Sequence, residues 1–218
     1  MKTSYSHLPD YAKNDLQQIV TLILERVPHC EMIILYGSYA RGTFVEYDER
    51  DEFGILTSFM SDYDLLVVTS NEDVREVGHL LDTVDDKYYK RPDNQVPIQF
   101  INDDIEKLNS DLSEGRYFYT SIQKQGIMLY DSGNYKLERP RKLNFQEITQ
   151  QSQEYFDEKF EKAGYFLDHA SFDYEKGRYN LASFDLHQAC ENYFYALRLV
   201  HTLKNSKQHN LSKLLGAT

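Results

Sequence analysis

Two aspartates one residue apart, Asp62 and Asp64, open the apolar run "MSDYDLLVV" (Met60–Val68), where burying charge is costly. In a strand, residues i and i+2 face the same side, so the two carboxylates project together. Like charges that close raise each other's pKa unless a cation sits between them. Divalent magnesium takes a few carboxylates together with phosphate oxygens and water, and suits such a pair. Earlier in the chain another apolar run, "MIILY" (Met32–Tyr36), ends abruptly in Gly37 and Ser38. Gly37 has no Cβ, so a ligand can approach the backbone closely there. Ser38 is placed to cap a following helix, leaving N–H groups and a hydroxyl to cradle a phosphate. Arg41, three residues on, shares that helical side and offers the phosphate a cation. Either element alone reads as an ordinary turn or a solvated strand start. A phosphate cradle followed by a carboxylate pair is a far rarer coincidence.

The elements that must hold these residues follow from hydrophobic spacing. Leu16, Ile19, Val20, Ile23 and Val27 recur at helical intervals and predict a first helix over Asn14–Val27. Met32–Tyr36 and Leu65–Thr69 are short continuous apolar runs, the pattern of strands covered on both faces. Val96–Ile101 is a third, and Pro97 places it at an edge or gives it an irregular start. A helical pattern with Val74, Val77 and Leu81 separates the second and third. Another helix is expected over Asp103–Leu112, ended by Gly115, and a last short strand over Ile127–Asp131. "SGNYKLERPRK" reads as a linker. Beyond it, Phe156, Phe160, Ala163, Leu167, Ala170 and Tyr174 recur at helical spacing. After "KGRYN", Ala182, Leu186, Ala189, Tyr193, Ala196, Val200 and Leu203 repeat the rhythm. Two long helices with Gly177 at the turn make an antiparallel hairpin. Ala182, Ala189 and Ala196 fall on one seam that a neighbouring helix can approach closely. A hairpin and a helical stub at "HNLSKLL" make a thin core, so a truncated chain or a partner covering the seam is expected.

The formal net charge of -11 argues against broad binding to nucleic acid or acidic membranes. The charge is uneven: "VEYDERDEF" (Val45–Phe53) is intensely acidic, whereas Arg198, Lys204, Lys207 and Lys213 lie in a stretch without carboxylates. Eighteen tyrosines and no tryptophan imply a core and surface rich in amphipathic rings. Cys30 and Cys190 show no metal-ligand spacing. The N-terminus has no apolar signal-peptide core and no run approaches membrane-spanning length, so a cytoplasmic protein with reduced thiols is expected.

"GSYARG" followed by "SDYDLLVV" resembles the signature of the polymerase-β-like nucleotidyltransferases, and most of all their minimal and kanamycin-type branch of small bacterial enzymes. The resemblance covers roughly residues 10 to 135. It implies a small mixed sheet flanked by helices over residues 1–135, followed by a linker at 136–146. It also implies that Gly37, Ser38, Arg41 and Ser61 bind nucleotide phosphates. Asp62 and Asp64 would then be the catalytic pair that holds Mg²⁺ or Mn²⁺. The implied activity moves a nucleoside monophosphate from a nucleoside triphosphate, ATP in the first instance, to an unidentified small-molecule, protein or RNA acceptor. Residues 147–218, through "ASFDLHQACENYFYALRLV" and "KQHNLSKL", resemble the HEPN domain, an all-α helical module, here incomplete, often fused to or encoded beside such enzymes. Homo-oligomerisation through the helical part is expected, with no membrane partner.

Three departures qualify the resemblance. Eighteen residues separate Gly42 from Ser61, where this branch has only a handful, and the excess reads as an inserted acidic loop. The superfamily supplies a third carboxylate from a later strand, but the polar residue within "VPIQFIN" is Gln99, which cannot take a proton as a general base. Asp103 or Asp104 just beyond could substitute; otherwise the chain is a nucleotide-binding or regulatory relative with little activity. HEPN proteins that cleave RNA carry an Arg followed at a set short spacing by His. His201 is too close to Arg198 and His209 too far, so that motif is absent, which weighs against the remaining alternative, an RNA-acting HEPN module. His187, Glu191, Arg198 and His201 share a helical face, which reads first as a hydrogen-bonded polar surface.

Overall fold

A computed structural model describes residues 1–52, 55–91, 96–202 and 211–215. The chain divides into two compact units, Met1–Arg141 and Lys142–Thr218.

The first unit runs α1 (Asp10–Arg26), β1 (Cys30–Tyr36), α2 (Gly37–Arg41), β2 (Asp48–Glu52), β3 (Ile55–Phe59) and β4 (Tyr63–Thr69). It continues with α3 (Val74–Tyr88), β5 (Ile98–Asp104), α4 (Ile105–Ser113), α5 (Tyr117–Gln125) and β6 (Ile127–Asp131). Four strands form one sheet in the order β5-β4-β1-β6. β1 is antiparallel to β4 and β6, while β4 and β5 are parallel. The sheet is therefore mixed, and β5 is the edge strand that Pro97 foreshadows.

Central strands buried on both faces explain the unbroken apolar runs. Every residue of β1 and β4 is buried. Ile33, Leu35, Leu65 and Val67 join Leu16, Ile19 and Ile23 of α1 and Val77, Leu81 and Val84 of α3 in one core. On the other face Met32, Ile34, Leu66 and Val68 pack with Ile105, Leu108 and Leu112 of α4 and Ile122 of α5. Side-chain caps start two of these helices: Asp73 accepts from the N–H groups of Arg75 and Glu76, and Asp104 from that of Glu106.

Two elements depart from the sequence expectation. The acidic segment is a hairpin, β2 against β3, rather than a loop. Pairing with β3 (ILTSF) draws β2 (DERDE) into a strand despite its poor β-composition. The α5 helix was not expected, because only Ile122 of its residues is buried and no side chain caps it. An amphipathic pattern has nothing to show there.

At one end of the sheet Glu31 is buried and accepts hydrogen bonds from Ser70 Oγ (2.7 Å), Ser132 Oγ (2.5 Å) and Asn134 Nδ2 (3.1 Å). Burial alone would raise its pKa. The bonds from Ser132, Ser70 and Asn134, with the charge of His29, outweigh burial and hold it below 4.5. A carboxyl depressed in the folded state contributes stability above its unfolded pKa and loses it as pH falls through the folded one. Urea denaturation is therefore expected to show Glu31→Gln less stable than wild type at neutral pH. The gap should close as the pH is taken down through and below the ordinary carboxylate range.

The second unit is helical: α6 (Phe145–Glu175), α7 (Tyr179–Thr202) and α8 (Leu211–Leu215). Asn144 and Glu147 form a capping box at the start of α6. Gly177, at φ +73°, turns the chain into α7, with its N–H donating to the carbonyl of Tyr174 at 3.0 Å. Ala163 and Ala170 of α6 and Ala182, Ala189 and Ala196 of α7 are all buried. The alanine seam is thus already covered, and it does not supply the open face expected of it. Phe160 and Tyr193 meet edge to face at 5.2 Å, and Tyr174 and Tyr179 at 5.6 Å. Leu203, Lys204, Lys207 and His209 lie outside the described residues, as do the side chains of His201 and Lys213. No described helix is long and apolar enough to cross a membrane.

Candidate functional site

The turn out of β1 meets the start of β4 because the two strands are antiparallel, with Tyr36 opposite Asp64. Gly37 follows at φ +74°, and a Cβ built there would lie 1.8 Å from Asp64 Oδ2 and 2.8 Å from its Cγ. The glycine is required on two grounds at once, its left-handed backbone and the carboxylate filling the space a side chain would need. A second left-handed glycine, Gly42 at φ +73°, ends α2. Ser38 lies within α2 and does not cap it: the cap position is Tyr36, with no side-chain bond, and the Ser38 carbonyl accepts from Thr43 N–H at 3.0 Å. Ser38 is half-buried and Arg41 exposed, three residues apart on α2. His7 binds the Tyr39 carbonyl through Nε2 at 2.9 Å, so that nitrogen carries the proton and braces α2 from the N-terminal segment.

Asp64 is the second residue of β4 and only 1% exposed. Asp62 stands just ahead of the strand and is half-buried. The alternation of extended backbone directs both carboxylates to the side of Tyr36. Tyr36 reports them: burial first, then the charges of Asp64 and Asp62, push its phenol well up, so it stays protonated. Its ring lies edge to face on Phe118 at 5.8 Å. Ser61 is buried, and its hydroxyl accepts the Val45 N–H at 2.9 Å.

The register also places Gln99: it pairs with Asp64 across the β4–β5 ladder and is exposed. The row Tyr36, Asp64, Gln99 crosses the sheet from β1 to β5. Asp103 and Asp104 do not substitute. They pair with Val68 and Thr69, roughly 13 Å along the strand at about 3.3 Å per residue. Both are engaged elsewhere. Asp103 is buried and accepts from Lys107 Nζ at 2.5 Å and from the Tyr119 hydroxyl. Asp104 caps α4 and accepts from Asn71 N–H at 3.3 Å.

Among the described residues no group of three or more His, Cys, Asp or Glu side chains gathers to hold a metal. Asp62 and Asp64 are the pair left, both hard oxygen donors beside the Gly37 turn. That set fits magnesium, which keeps several waters and binds one or two carboxylates together with substrate phosphates.

In the helical unit, His187 Nδ1 lies 3.7 Å from Glu191 Oε1, and Glu191 Oε2 accepts from Gln188 Nε2 at 3.1 Å. Glu191 is buried. Tyr195, with its pKa pushed up to about 12 by burial and then by the Glu191 charge against Arg198, joins the same group. Glu191 is thus buried rather than on the polar surface expected of these spacings, the His201 side chain lies outside the described residues, and Tyr195 is a member that spacing did not pick out.

No curated protein matches the chain. A crystal structure from Sulfolobus solfataricus, assigned provisionally as a nucleotidyltransferase, matches 58% of this chain and 93% of its own. It does so at 14% identity and a TM-score of 0.35. Residues 156–218 match the family model of the HEPN domain. The chain thus joins a small mixed α/β unit, likened by its motifs to the nucleotidyltransferases, to a helical unit similar to the HEPN domain.

Proposed function

We propose that the first unit is a metal-dependent nucleotidyltransferase that moves a nucleoside monophosphate from a nucleoside triphosphate, ATP in the first instance, to an acceptor. The observation that carries this reading is the contact between Gly37 and Asp64. A left-handed turn with no room for a Cβ brings backbone directly against a buried carboxylate. Gly37 and Ser38 hold the triphosphate through backbone and hydroxyl, and Arg41 neutralises it from the same side of α2. Asp62 and Asp64 would hold Mg²⁺ or Mn²⁺, which would supply Lewis-acid polarisation of the α-phosphate and offset charge on the departing pyrophosphate. The acceptor, a small molecule, protein or RNA, attacks in line with that leaving group. A cytoplasmic setting with reduced thiols belongs to the same proposal; Cys30 and Cys190 are both free. So does self-association through the helical unit. Its support is the apolar surface of α6 and α7, where Phe160, Leu167, Tyr174, Tyr179 and Leu186 are 40–67% exposed.

The test is label transfer from α-labelled ATP with Mg²⁺, alone and with candidate acceptors, against the double variant Asp62→Ala, Asp64→Ala. Wild type is expected to transfer label and the variant to fall to background. Transfer that survives the double substitution removes the two aspartates from the chemistry.

A second reading is favoured by one observation, the exposed Gln99 beside Asp64 where a carboxylate would serve as base. On that reading the site binds nucleotide and metal but turns over slowly. Tight ATP binding without transfer is its signature.

A further inference from the structure

Asp62 precedes the first paired residue of β4, so the β4 ladder does not hold it; its two neighbours are held instead. Ser61 is 5% exposed and bound twice to one residue: its Oγ accepts the Val45 N–H at 2.9 Å, and its own N–H donates to the Val45 carbonyl at 2.9 Å. On the other side Tyr63 is fully buried. Its N–H donates to the Pro97 carbonyl at 2.7 Å, its hydroxyl to Asp15 Oδ2 at 2.9 Å, and its ring packs on Tyr39 at 4.6 Å. Burial alternates through the segment: Ser61 and Tyr63 are buried while Asp62 between them is half-exposed. In extended chain that alternation turns the Ser61 hydroxyl away from the side to which Asp62 and Asp64 project. Val45 stands at the base of the β2–β3 hairpin, next to Glu46, which accepts from the Tyr11 hydroxyl at 3.1 Å. The stack of Phe44 on Tyr39, with centroids 4.3 Å apart and planes 6° apart, anchors the same base.

We infer that Ser61 is a positioning residue, which clamps the base of the acidic hairpin to the start of β4 and so fixes Asp62, and that it does not itself hold nucleotide. The inference rests on Asp62 and Asp64 being the metal pair. It gives the inserted hairpin a place in the site: its two ends leave α2 and enter β4, and the Ser61–Val45 clamp closes them together. A serine is suited to this because its small hydroxyl accepts the part-buried Val45 N–H while its own N–H donates back to the Val45 carbonyl.

The experiment follows two readouts in the full chain, amide hydrogen exchange at Val45 and the affinity of Mn²⁺ alone. Ser61→Ala is expected to speed Val45 exchange and to weaken Mn²⁺ binding, each by up to about tenfold, the upper scale of one lost intramolecular hydrogen bond. At saturating Mn²⁺ its ATP affinity should stay within about twofold of wild type, because no nucleotide contact is lost. Ser61→Thr, which keeps the hydroxyl, should restore both readouts. Val45→Pro removes the donor from the other side, and should weaken Mn²⁺ binding equally with no further loss in the double variant. Faster exchange with unchanged Mn²⁺ affinity would make Ser61 merely structural and overturn the inference. Lost ATP affinity at saturating Mn²⁺ with unchanged exchange would overturn it in favour of a nucleotide ligand. A wild type that binds no Mn²⁺ while Val45 exchange still depends on Ser61 would instead bring down the metal reading itself, and the inference with it.

Discussion

Gly37→Ala is expected to lose label transfer and Mn²⁺ binding by about 100-fold or more, because small displacements of reacting groups carry costs of that size. The added methyl would sit 1.8 Å from Asp64 Oδ2, well inside contact distance, and would have to move either the carboxylate or the turn. Asp64 has little freedom to yield, being 1% exposed and in register with Tyr36. A left-handed alanine costs about 1–2 kcal/mol and overpacking about 1–3 kcal/mol, so thermal unfolding should also come earlier. Gly42→Ala separates the two causes. It shares the left-handed backbone, at φ +73°, but its Cβ would meet only the His7 ring, at 3.3 Å. It is expected to lose stability on the left-handed scale alone and to keep Mn²⁺ affinity near wild type. Equal loss of Mn²⁺ affinity in both variants would show that turn strain, and not the carboxylate contact, is what the site depends on.

Gln99→Glu is expected to raise transfer by about 100-fold, the lower range of what a positioned general base contributes. The substitution is nearly isosteric, at an exposed site that pairs directly with Asp64. Glutamine offers an oxygen but takes no proton, whereas a glutamate there could coordinate the cation and accept the acceptor's proton. A third carboxylate beside Asp64 also repels it in the absence of metal. The variant should therefore be less stable than wild type without Mg²⁺ and gain more stability when Mg²⁺ is added. Single-turnover transfer and metal-dependent thermal unfolding measure the two effects. Unchanged transfer in an active wild type would place the base on another residue.

The two strands and the paired motifs were legible because their signals are local. An apolar run buried on both faces needs no partner to be recognised, and Asp62 and Asp64 share a side through the two-residue period of extended chain alone. Local composition misled where backbone or burial decided the outcome. The acidic stretch forms β2 and pairs with β3 through main-chain bonds that its own side chains do not advertise. Tyr117–Gln125 becomes helical with a single buried residue to set its phase. Ser38, a good capping residue by type, falls inside α2, which starts at Gly37, two residues sooner than a cap at Ser38 would place it.

By itself the sequence determined which residue types could bind phosphate and metal and that two carboxylates share a side in extended chain; that Gln99 stands where a third carboxylate would act is what its resemblance to the nucleotidyltransferases implies. Only the tertiary structure decided which of them meet. Strand order and register are non-local: they put Asp64 against Gly37 and beside Gln99, and carry Asp103 and Asp104 to the opposite end of β5. They also turned the alanine seam inward and gave the Ser61 hydroxyl to Val45. A spacing along the chain fixes the side a residue faces, whereas its distance from a residue on another strand is fixed only when the sheet closes its core.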